Sequence, residues 1–117
     1  MPRVKFLIIA AFAGLTAASC FETQPKGFVI ATSKSYEASL FRQHCAICHG
    51  PEAEGRTLDD GKIVPSLREG DFKFKSEGEI RKQISEGGNG MTPFRGQLTE
   101  REIGLMTNFV LHDLRGQ

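Results

Sequence analysis

Apolar residues recur at helical spacing in three stretches of the chain, and each stretch follows a residue that can cap a helix. The first stretch, residues 36–45, contains no Gly or Pro and follows Ser35, which predicts a helix of about two to three turns. Between residues 50 and 75, Gly and Pro residues interrupt any regular pattern at Gly50, Pro51, Gly55, Gly61, Pro65 and Gly70. We expect a long loop there, and such loops in compact domains are usually functional or wrapped around something.

Two later stretches begin with capping boxes. The second helix is predicted to start at Ser76, with Glu79 three residues later, and to end at Gly87. The third starts at Thr99, with Glu102 as the reciprocal residue, and continues to about Leu114. The expected buried positions are Ile80 and Ile84 in the second helix and Ile103, Met106, Phe109, Val110 and Leu114 in the third. We find no alternating strand pattern and no repeat, so the predicted fold class is all-α.

Residues 1–20 have the three-part pattern of a secretory signal peptide. Arg3 and Lys5 form a short basic region, an apolar run follows from Phe6 to Ala18, and small residues come after it. The run is too short to span a bilayer comfortably, although a retained membrane anchor is the alternative. We therefore predict export of the mature chain.

Cys20 stands alone at the end of this segment, where an unpaired thiol in an oxidising compartment is a liability. The residues before it resemble the lipobox of bacterial lipoproteins, in which the cysteine is acylated, but Ala17 stands where a larger apolar residue is usual. Ordinary cleavage after Ser19 also fits. A lipid on Cys20 would hold the chain at a membrane surface, and residues 21–35 would form a flexible tether to a domain over 36–117.

The length and charge of the chain limit its possible functions. With 117 residues there is room for one small domain, and in such domains a disulfide, metal or cofactor often completes the core. Beyond the signal segment 13 basic and 14 acidic residues remain, because Arg3 and Lys5 are its only charged residues. With so balanced a charge, we do not expect the basic surface that phosphate contacts require, and therefore no nucleic acid partner.

The strongest chemical motif is Cys45-Ala46-Ile47-Cys48-His49, the pattern for covalent haem attachment. Two thiols at this spacing can add to the two vinyl groups of one porphyrin, and the next residue can place its imidazole on the iron. A neutral imidazole is a suitable axial ligand because its nitrogen lone pair is free. The sequence therefore predicts one haem c, attached through Cys45 and Cys48 and ligated by His49.

Three other interpretations of the cysteine pair are open. A redox-active dithiol uses the same spacing, but normally in a strand-and-helix context. A zinc site would need His44, His49 or His112 to complete a set that has only two thiols. A structural disulfide between Cys45 and Cys48 would leave His49 without a role.

From Tyr36 to Leu114 the sequence resembles the class I cytochromes c, which implies a small fold of about three to five helices wrapped around one covalently bound haem. In that family a methionine in a glycine-rich loop before the last helix is the second iron ligand. The stretch Gly87-Gly88-Asn89-Gly90-Met91-Thr92-Pro93-Phe94 resembles this loop, so the resemblance assigns that role to Met91. Met106, on the apolar stripe of the third helix, is expected to be a core residue instead.

The resemblance also assigns supporting roles. Val64-Pro65-Ser66-Leu67 is similar to the segment whose proline carbonyl accepts a hydrogen bond from the proximal histidine, which gives this role to Pro65. Phe41 and Phe109 match the positions where the family crosses its first and last helices. The family usually has a glycine four residues before Phe41, where this chain has Glu37, so we expect a looser or shifted crossing.

These features predict an electron-transfer protein and no enzyme. The expected function is one-electron transfer between redox proteins in the periplasm or at a membrane surface, by a monomer or by a subunit of a respiratory or dehydrogenase complex. No catalytic constellation accompanies the haem motif, and two axial ligands leave no place for a substrate at the iron. The alternative is a haem-based gas sensor or small haem enzyme from which Met91 can be displaced.

Overall fold

Four α-helices and one π-helical turn make up most of the regular structure in the computed structural model, which describes residues 27–117. They are α1 (Tyr36–His44), α2 (Ala46–His49), α3 (Glu77–Glu86), α4 (Glu100–Asn108) and the π-helical turn Phe109–Leu114, which continues α4. No helix within 27–117 is both long and apolar enough to cross a membrane. The predicted signal peptide and the predicted lipid site at Cys20 lie outside the described residues.

The caps that the sequence predicts are all formed. The Ser35 hydroxyl accepts a hydrogen bond from the Ala38 backbone N–H at the start of α1. Both predicted capping boxes are complete, at Ser76 for α3 and at Thr99 for α4. These side chains satisfy N–H groups that have no partner within the first turn of a helix, so they fix where each helix begins.

Aromatic packing joins the first and last helices. Phe41 of α1 and Phe109, where the π-helical turn begins, are each 1% exposed, and their ring centroids lie 6.0 Å apart. The crossing at these two residues is therefore confirmed, although Glu37 replaces the usual glycine. The predicted buried stripe of the last helix is also confirmed, with Ile103, Met106, Phe109, Val110 and Leu114 at 7% exposure or less.

A short β-hairpin interrupts the predicted loop over 50–75. Strands β1 (Arg56–Thr57) and β2 (Ile63–Val64) pair antiparallel. Each strand has only two residues, too few to show an alternating pattern, which is why the sequence gave no indication of them. The coarse fold class is still all-α.

The folded part of the chain begins before Tyr36, although a tether was predicted over 21–35. Ile30 is completely buried in the core, and the ring of Phe28 packs edge-to-face on Phe109 with centroids 5.2 Å apart. We call residues 28–33 the N-terminal strap. Apolar contacts between the strap and the helices join residues far apart in sequence, so no local pattern predicts them.

Polar side chains hold the backbone of the N-terminal strap. The Glu52 carboxylate accepts hydrogen bonds from the N–H groups of Ile30 and Ala31, each at 2.8 Å. Arg68 donates to the Phe28 carbonyl at 2.7 Å and forms an ion pair with Glu52 at 3.2 Å. The strap is thereby tied to the loop that follows α2.

Replacing Ile30 with Ala tests whether the strap is part of the folded core. We expect the free energy of unfolding of the haem-loaded protein to fall by about 2–5 kcal/mol, because the change removes fully buried apolar atoms. Urea unfolding followed by circular dichroism measures this. Ile63→Ala is the matched control, since Ile63 is 75% exposed and its truncation should cost within about 0.5 kcal/mol. Equal losses in the two variants would contradict the packing of the strap.

Glu102 links α4 to α1 as well as capping α4. Its carboxylate accepts hydrogen bonds from the Tyr36 hydroxyl at 2.5 Å and from the N–H and hydroxyl of Thr99, both at 2.8 Å. These hydrogen bonds lower the pKa of Glu102 from 4.5 to about 2, and the bond from Tyr36 has the largest effect. A carboxyl whose pKa is lowered by folding stabilises the fold fully above its unfolded pKa, and this contribution disappears as the pH falls through the folded pKa.

We therefore expect Glu102→Gln to lower the free energy of unfolding at neutral pH. The difference in unfolding free energy between the variant and the wild type should shrink as the pH falls below 4.5 and be nearly gone at a pH of about 2. Chemical unfolding at a series of pH values measures it, with the exposed Glu77→Gln as control. A difference that stays constant over this range would show that the ionised carboxylate of Glu102 is not what stabilises the fold.

Candidate functional site

The Cys45–His49 motif forms a single helical turn at the end of α1. Cys45 donates its N–H to the Phe41 carbonyl at 2.9 Å, as in a continuing helix. Its own carbonyl accepts the N–H groups of both Cys48 (3.2 Å) and His49 (2.9 Å), which starts α2. The turn therefore holds the two cysteines and the histidine close together on one short helix.

Burial sets the protonation states within this turn. Desolvation, with a smaller effect of Cys48, raises the pKa of Cys45 to about 12, so its thiol is neutral at ordinary pH. Burial also lowers the pKa of His49, which favours the neutral imidazole that can bind a metal. A redox-active dithiol needs a lowered thiol pKa, so the environment of Cys45 argues against that interpretation.

The other two interpretations of the motif also lack support. Cys45 and Cys48 are both free thiols, so no disulfide joins them. Within residues 27–117 no three His, Cys, Asp or Glu side chains lie together as a group that could hold a metal ion.

The Nδ1 atom of His49 is buried and has no hydrogen-bond partner, and it is the only such side-chain nitrogen or oxygen in the described part of the chain. Pro65, whose carbonyl the resemblance gives as the partner, does not form this bond here, and its role stays a prediction. The segment around Pro65 is nevertheless tied to the loop that follows His49. The Leu67 N–H donates to the Ala53 carbonyl at 2.9 Å, and the Gly55 N–H donates to the His49 carbonyl at 2.8 Å.

Met91 lies at the end of a tight turn between α3 and α4. Gly88 and Met91 exchange two backbone hydrogen bonds, each 3.0 Å long. The two residues between them, Asn89 and Gly90, have φ angles of +52° and +82°, and positive values at both positions are typical of a type I′ turn. We call residues 87–91 the methionine turn.

The methionine turn is fixed against α3 and the core. A Cβ at Gly87 would lie 2.5 Å from the Met91 carbonyl oxygen, so only glycine permits this approach. Phe94 and Arg95 donate their N–H groups to the Ile84 and Ser85 carbonyls of α3, each at 3.0 Å. The side chain of Met91 is half-buried and packs on the same core cluster that Cys45 contacts.

The β-hairpin reaches both halves of the site. At one end the Arg56 guanidinium donates to the Ile47 carbonyl at 3.1 Å, inside the cysteine motif. At the other end the Lys62 ammonium lies against Gly90 of the methionine turn, where a Cβ would overlap it. The sequence did not predict this connection, since the hairpin has no strand signal. An open cavity of about 350 Å³ adjoins Cys48 and is lined by Ile47, Cys48, Arg56, Leu58, Asp59 and Asp60.

These residues have the chemistry that a covalently bound haem requires. Cys45 and Cys48 are free thiols, and His49 has a neutral imidazole. Its buried Nδ1 has no partner among residues 27–117, and if Nδ1 carries the proton, the other ring nitrogen has the free lone pair that would bind the iron. Met91 supplies a half-buried thioether on the same core. An imidazole and a thioether suit a haem iron as ligands. The donor set therefore fits haem c.

The chain matches a known protein family. Residues 37–110 match the model of the family described as "Cytochrome C oxidase, cbb3-type, subunit III". The matched region contains the cysteine motif and the methionine turn. The comparison with curated proteins returned no match.

Similar solved structures are c-type cytochromes. The chain is 30% identical to the KustC0563 c-type cytochrome, with 62% of this chain and 89% of that chain covered and a TM-score of 0.52. A mutant of the same cytochrome gives 31% identity, coverage of 65% and 95%, and a TM-score of 0.53. Cytochrome cL from the methylotrophic bacterium Methylophaga aminisulfidivorans is 29% identical, with coverage of 62% and 48% and a TM-score of 0.49.

The family match covers more than half of the chain, and it implies haem c bound covalently through a cysteine pair. Cys45 and Cys48 are that pair, adjacent in one helical turn. The chain therefore belongs to the cytochrome c family that this model describes, and it is a class I c-type cytochrome with one haem.

Proposed function

We propose that the protein is a one-electron carrier between redox proteins, with His49 and Met91 as the two axial ligands of its haem. The observation that carries the proposal is the neutral, half-buried imidazole of His49, whose buried Nδ1 has no hydrogen-bond partner and which lies next to two free thiols. The packing of Met91 on the core that Cys45 also contacts supports the second ligand. Haem c, when bound, supplies the reversible one-electron change of its iron.

Each residue has a distinct task in this proposal. Cys45 and Cys48 would hold the cofactor covalently, and His49, on the same helical turn, would bind its iron. Met91 would be the second ligand, and its turn would need little ordering at each cycle because glycines permit its positive φ angles and Pro93 stiffens the residues after it. In the haem-loaded protein, the Pro65 carbonyl would orient His49 by accepting a hydrogen bond from Nδ1, which has no partner in this structure. The helices would then enclose the cofactor and exclude water from it.

This ligand set favours transfer of electrons over catalysis. If His49 and Met91 both bind the iron, no position there would remain for a substrate. A thioether ligand and burial away from water both stabilise the reduced state, so we expect a positive midpoint potential. The second candidate, a gas sensor or small haem enzyme, requires that carbon monoxide or nitric oxide displace Met91 readily.

We place the protein outside the cytoplasm. Residues 1–20 would direct export, and a lipid on Cys20 would hold the domain at a membrane surface, with residues 21–26 between the anchor and the described domain. Partners of the carrier are other redox proteins that meet it through small surfaces. Mass spectrometry of the mature N-terminus distinguishes a lipid on Cys20 from simple cleavage.

Replacing Met91 with Ala tests the axial ligand. We expect loss of the weak red absorption that a ferric, sulfur-ligated haem shows. The midpoint potential should fall by on the order of 0.1 V, a part of the roughly 0.8 V range that axial ligands cover. The reduced variant should also bind carbon monoxide faster than the wild type, since the thioether no longer competes. Absorption spectroscopy and redox titration of the haem-loaded protein measure these changes.

His112→Ala is the control, because His112 is a histidine outside the cysteine motif that could also offer an imidazole to the iron. Its Nδ1 already contacts the Gln117 carbonyl, so we expect an unchanged spectrum and potential. Loss of the red absorption in His112→Ala, or its survival in Met91→Ala, would refute the assignment of Met91. Rapid carbon monoxide binding by the wild type would favour the sensor.

A further inference from the structure

Two backbone segments lie side by side next to the cysteine motif. We call residues 50–55, which follow His49, the histidine loop, and residues 65–68 the proline segment. The Gly55 N–H donates to the His49 carbonyl at 2.8 Å. A Cβ at Gly55 would lie 2.8 Å from the carbonyl carbon of Pro65, so only glycine permits this close approach. The backbone of Pro65 is therefore packed against the residue that closes the histidine loop.

Ala53 joins the two segments in the middle. Its carbonyl accepts the Leu67 N–H at 2.9 Å and the Ser66 hydroxyl at 3.4 Å. Ala53 is completely buried and has a φ angle of +61°, which is unfavourable for a residue with a Cβ. Such a conformation persists only where the surrounding contacts fix it. The contacts between the histidine loop and the proline segment therefore have to hold Ala53 in place.

Arg68 and Glu52 close the end of the pair that is farther along the chain from Pro65. The Arg68 Nε donates to the Glu52 carbonyl. Its Nη2 donates to the Glu52 carboxylate at 3.2 Å and to the Phe28 carbonyl of the N-terminal strap at 2.7 Å. A guanidinium suits this task because its donors are fixed in one plane. Only 19% of the Arg68 side chain is exposed. We call Arg68 and Glu52 the arginine clamp.

Two other arginines bond nearby backbone but do not bond the histidine loop. Arg115 donates to the Leu67 carbonyl at 3.2 Å and so ties the proline segment to the C-terminal end of the chain. Arg42 donates to two carbonyls of the N-terminal strap, at 2.5 and 3.0 Å. Among the arginines of residues 27–117, Arg68 alone connects the proline segment to the histidine loop.

We propose that the arginine clamp positions the proline segment so that the Pro65 carbonyl meets the Nδ1 hydrogen of His49 when haem is bound. This inference rests on the proposed function, since it requires that His49 be an iron ligand. It goes beyond the hydrogen bond itself, because it assigns what holds the acceptor in place. Arg68 and Glu52 are positioning residues that act on His49 through the backbone of the two segments.

The expected effect on the potential follows from the donor strength of the imidazole. A hydrogen bond from Nδ1 to a carbonyl makes the other ring nitrogen of His49 a stronger donor to the iron. The ferric state gains more from this donation than the ferrous state, since it carries one more positive charge. The arginine clamp therefore lowers the midpoint potential, and loss of the clamp should raise it.

The test compares Arg68→Leu with Arg42→Leu in the haem-loaded protein. Both changes remove an arginine that bonds carbonyls of the N-terminal strap, but only Arg68→Leu unties the proline segment from the histidine loop. For Arg68→Leu we expect the reduction equilibrium constant to rise about threefold, which is a rise of about 30 mV for one electron. Arg42→Leu should leave the potential unchanged.

A second readout separates positioning from general stability. In the reduced protein, nuclear magnetic resonance measures how fast the Nδ1 proton of His49 exchanges with solvent. This exchange should be about tenfold faster in Arg68→Leu and unchanged in Arg42→Leu, because only the first change frees the acceptor. A purely structural role of Arg68 would lower the unfolding midpoint and leave both the exchange rate and the potential at their wild-type values.

Arg68→Lys provides a second variant if Arg68→Leu does not assemble with haem. Lysine keeps the charge that pairs with Glu52, but a single ammonium does not reproduce the three bonds of the guanidinium. Arg42→Lys is its matched control. We expect Arg68→Lys to raise the potential less than Arg68→Leu does, and to speed the exchange of the Nδ1 proton, while Arg42→Lys changes neither.

The outcomes distinguish this inference from the proposed function. If the wild type shows the sulfur absorption while the Arg68 and Arg42 variants have equal potentials and equal Nδ1 exchange, the arginine clamp is refuted and the electron carrier stands. If the wild type lacks that absorption, Met91 fails as a ligand, and the Nδ1 exchange still tests the clamp through His49. Free exchange of this proton in the wild type would overturn the inference, because no acceptor would then be in place.

Discussion

The contact between Phe41 and Phe109 determines where the rest of the site can lie. Phe41 is four residues before Cys45 on α1, and Phe109 lies on the helix that follows the methionine turn. Because these two buried rings pack 6.0 Å apart, the second half of α1 and the end of α4 are held around one core. The cysteine motif continues from α1, and Met91 precedes α4, so both halves of the proposed ligand set reach this core.

Two elements outside the helices complete the arrangement. The N-terminal strap packs Phe28 on Phe109 and is tied through Glu52 and Arg68 to the loop after His49. The hairpin contacts both halves of the site. Arg56 bonds the Ile47 carbonyl in the cysteine motif, and Lys62 lies against Gly90 in the methionine turn. Both elements restrain the loops that hold the proposed ligands, and restrained ligands need little rearrangement when an electron arrives or leaves.

The sequence predicted the features that depend on neighbouring residues. Caps at Ser35, Ser76 and Thr99 are formed within one helical turn, so their spacing is visible in the sequence, and the same holds for the cysteine motif. The place of Ile30 and the pairing of the hairpin could not be predicted, because they join residues about 10 or more positions apart or involve strands of two residues.

An optical redox titration of the wild-type protein, matured in a host that attaches haem, tests the central claim most directly. The account predicts one transition of a single electron, at a positive midpoint potential, with the weak red absorption of a sulfur-ligated ferric haem in the oxidised form. A high-spin spectrum, or a low potential without that absorption, would contradict it, because Met91 would then not be bound to the iron.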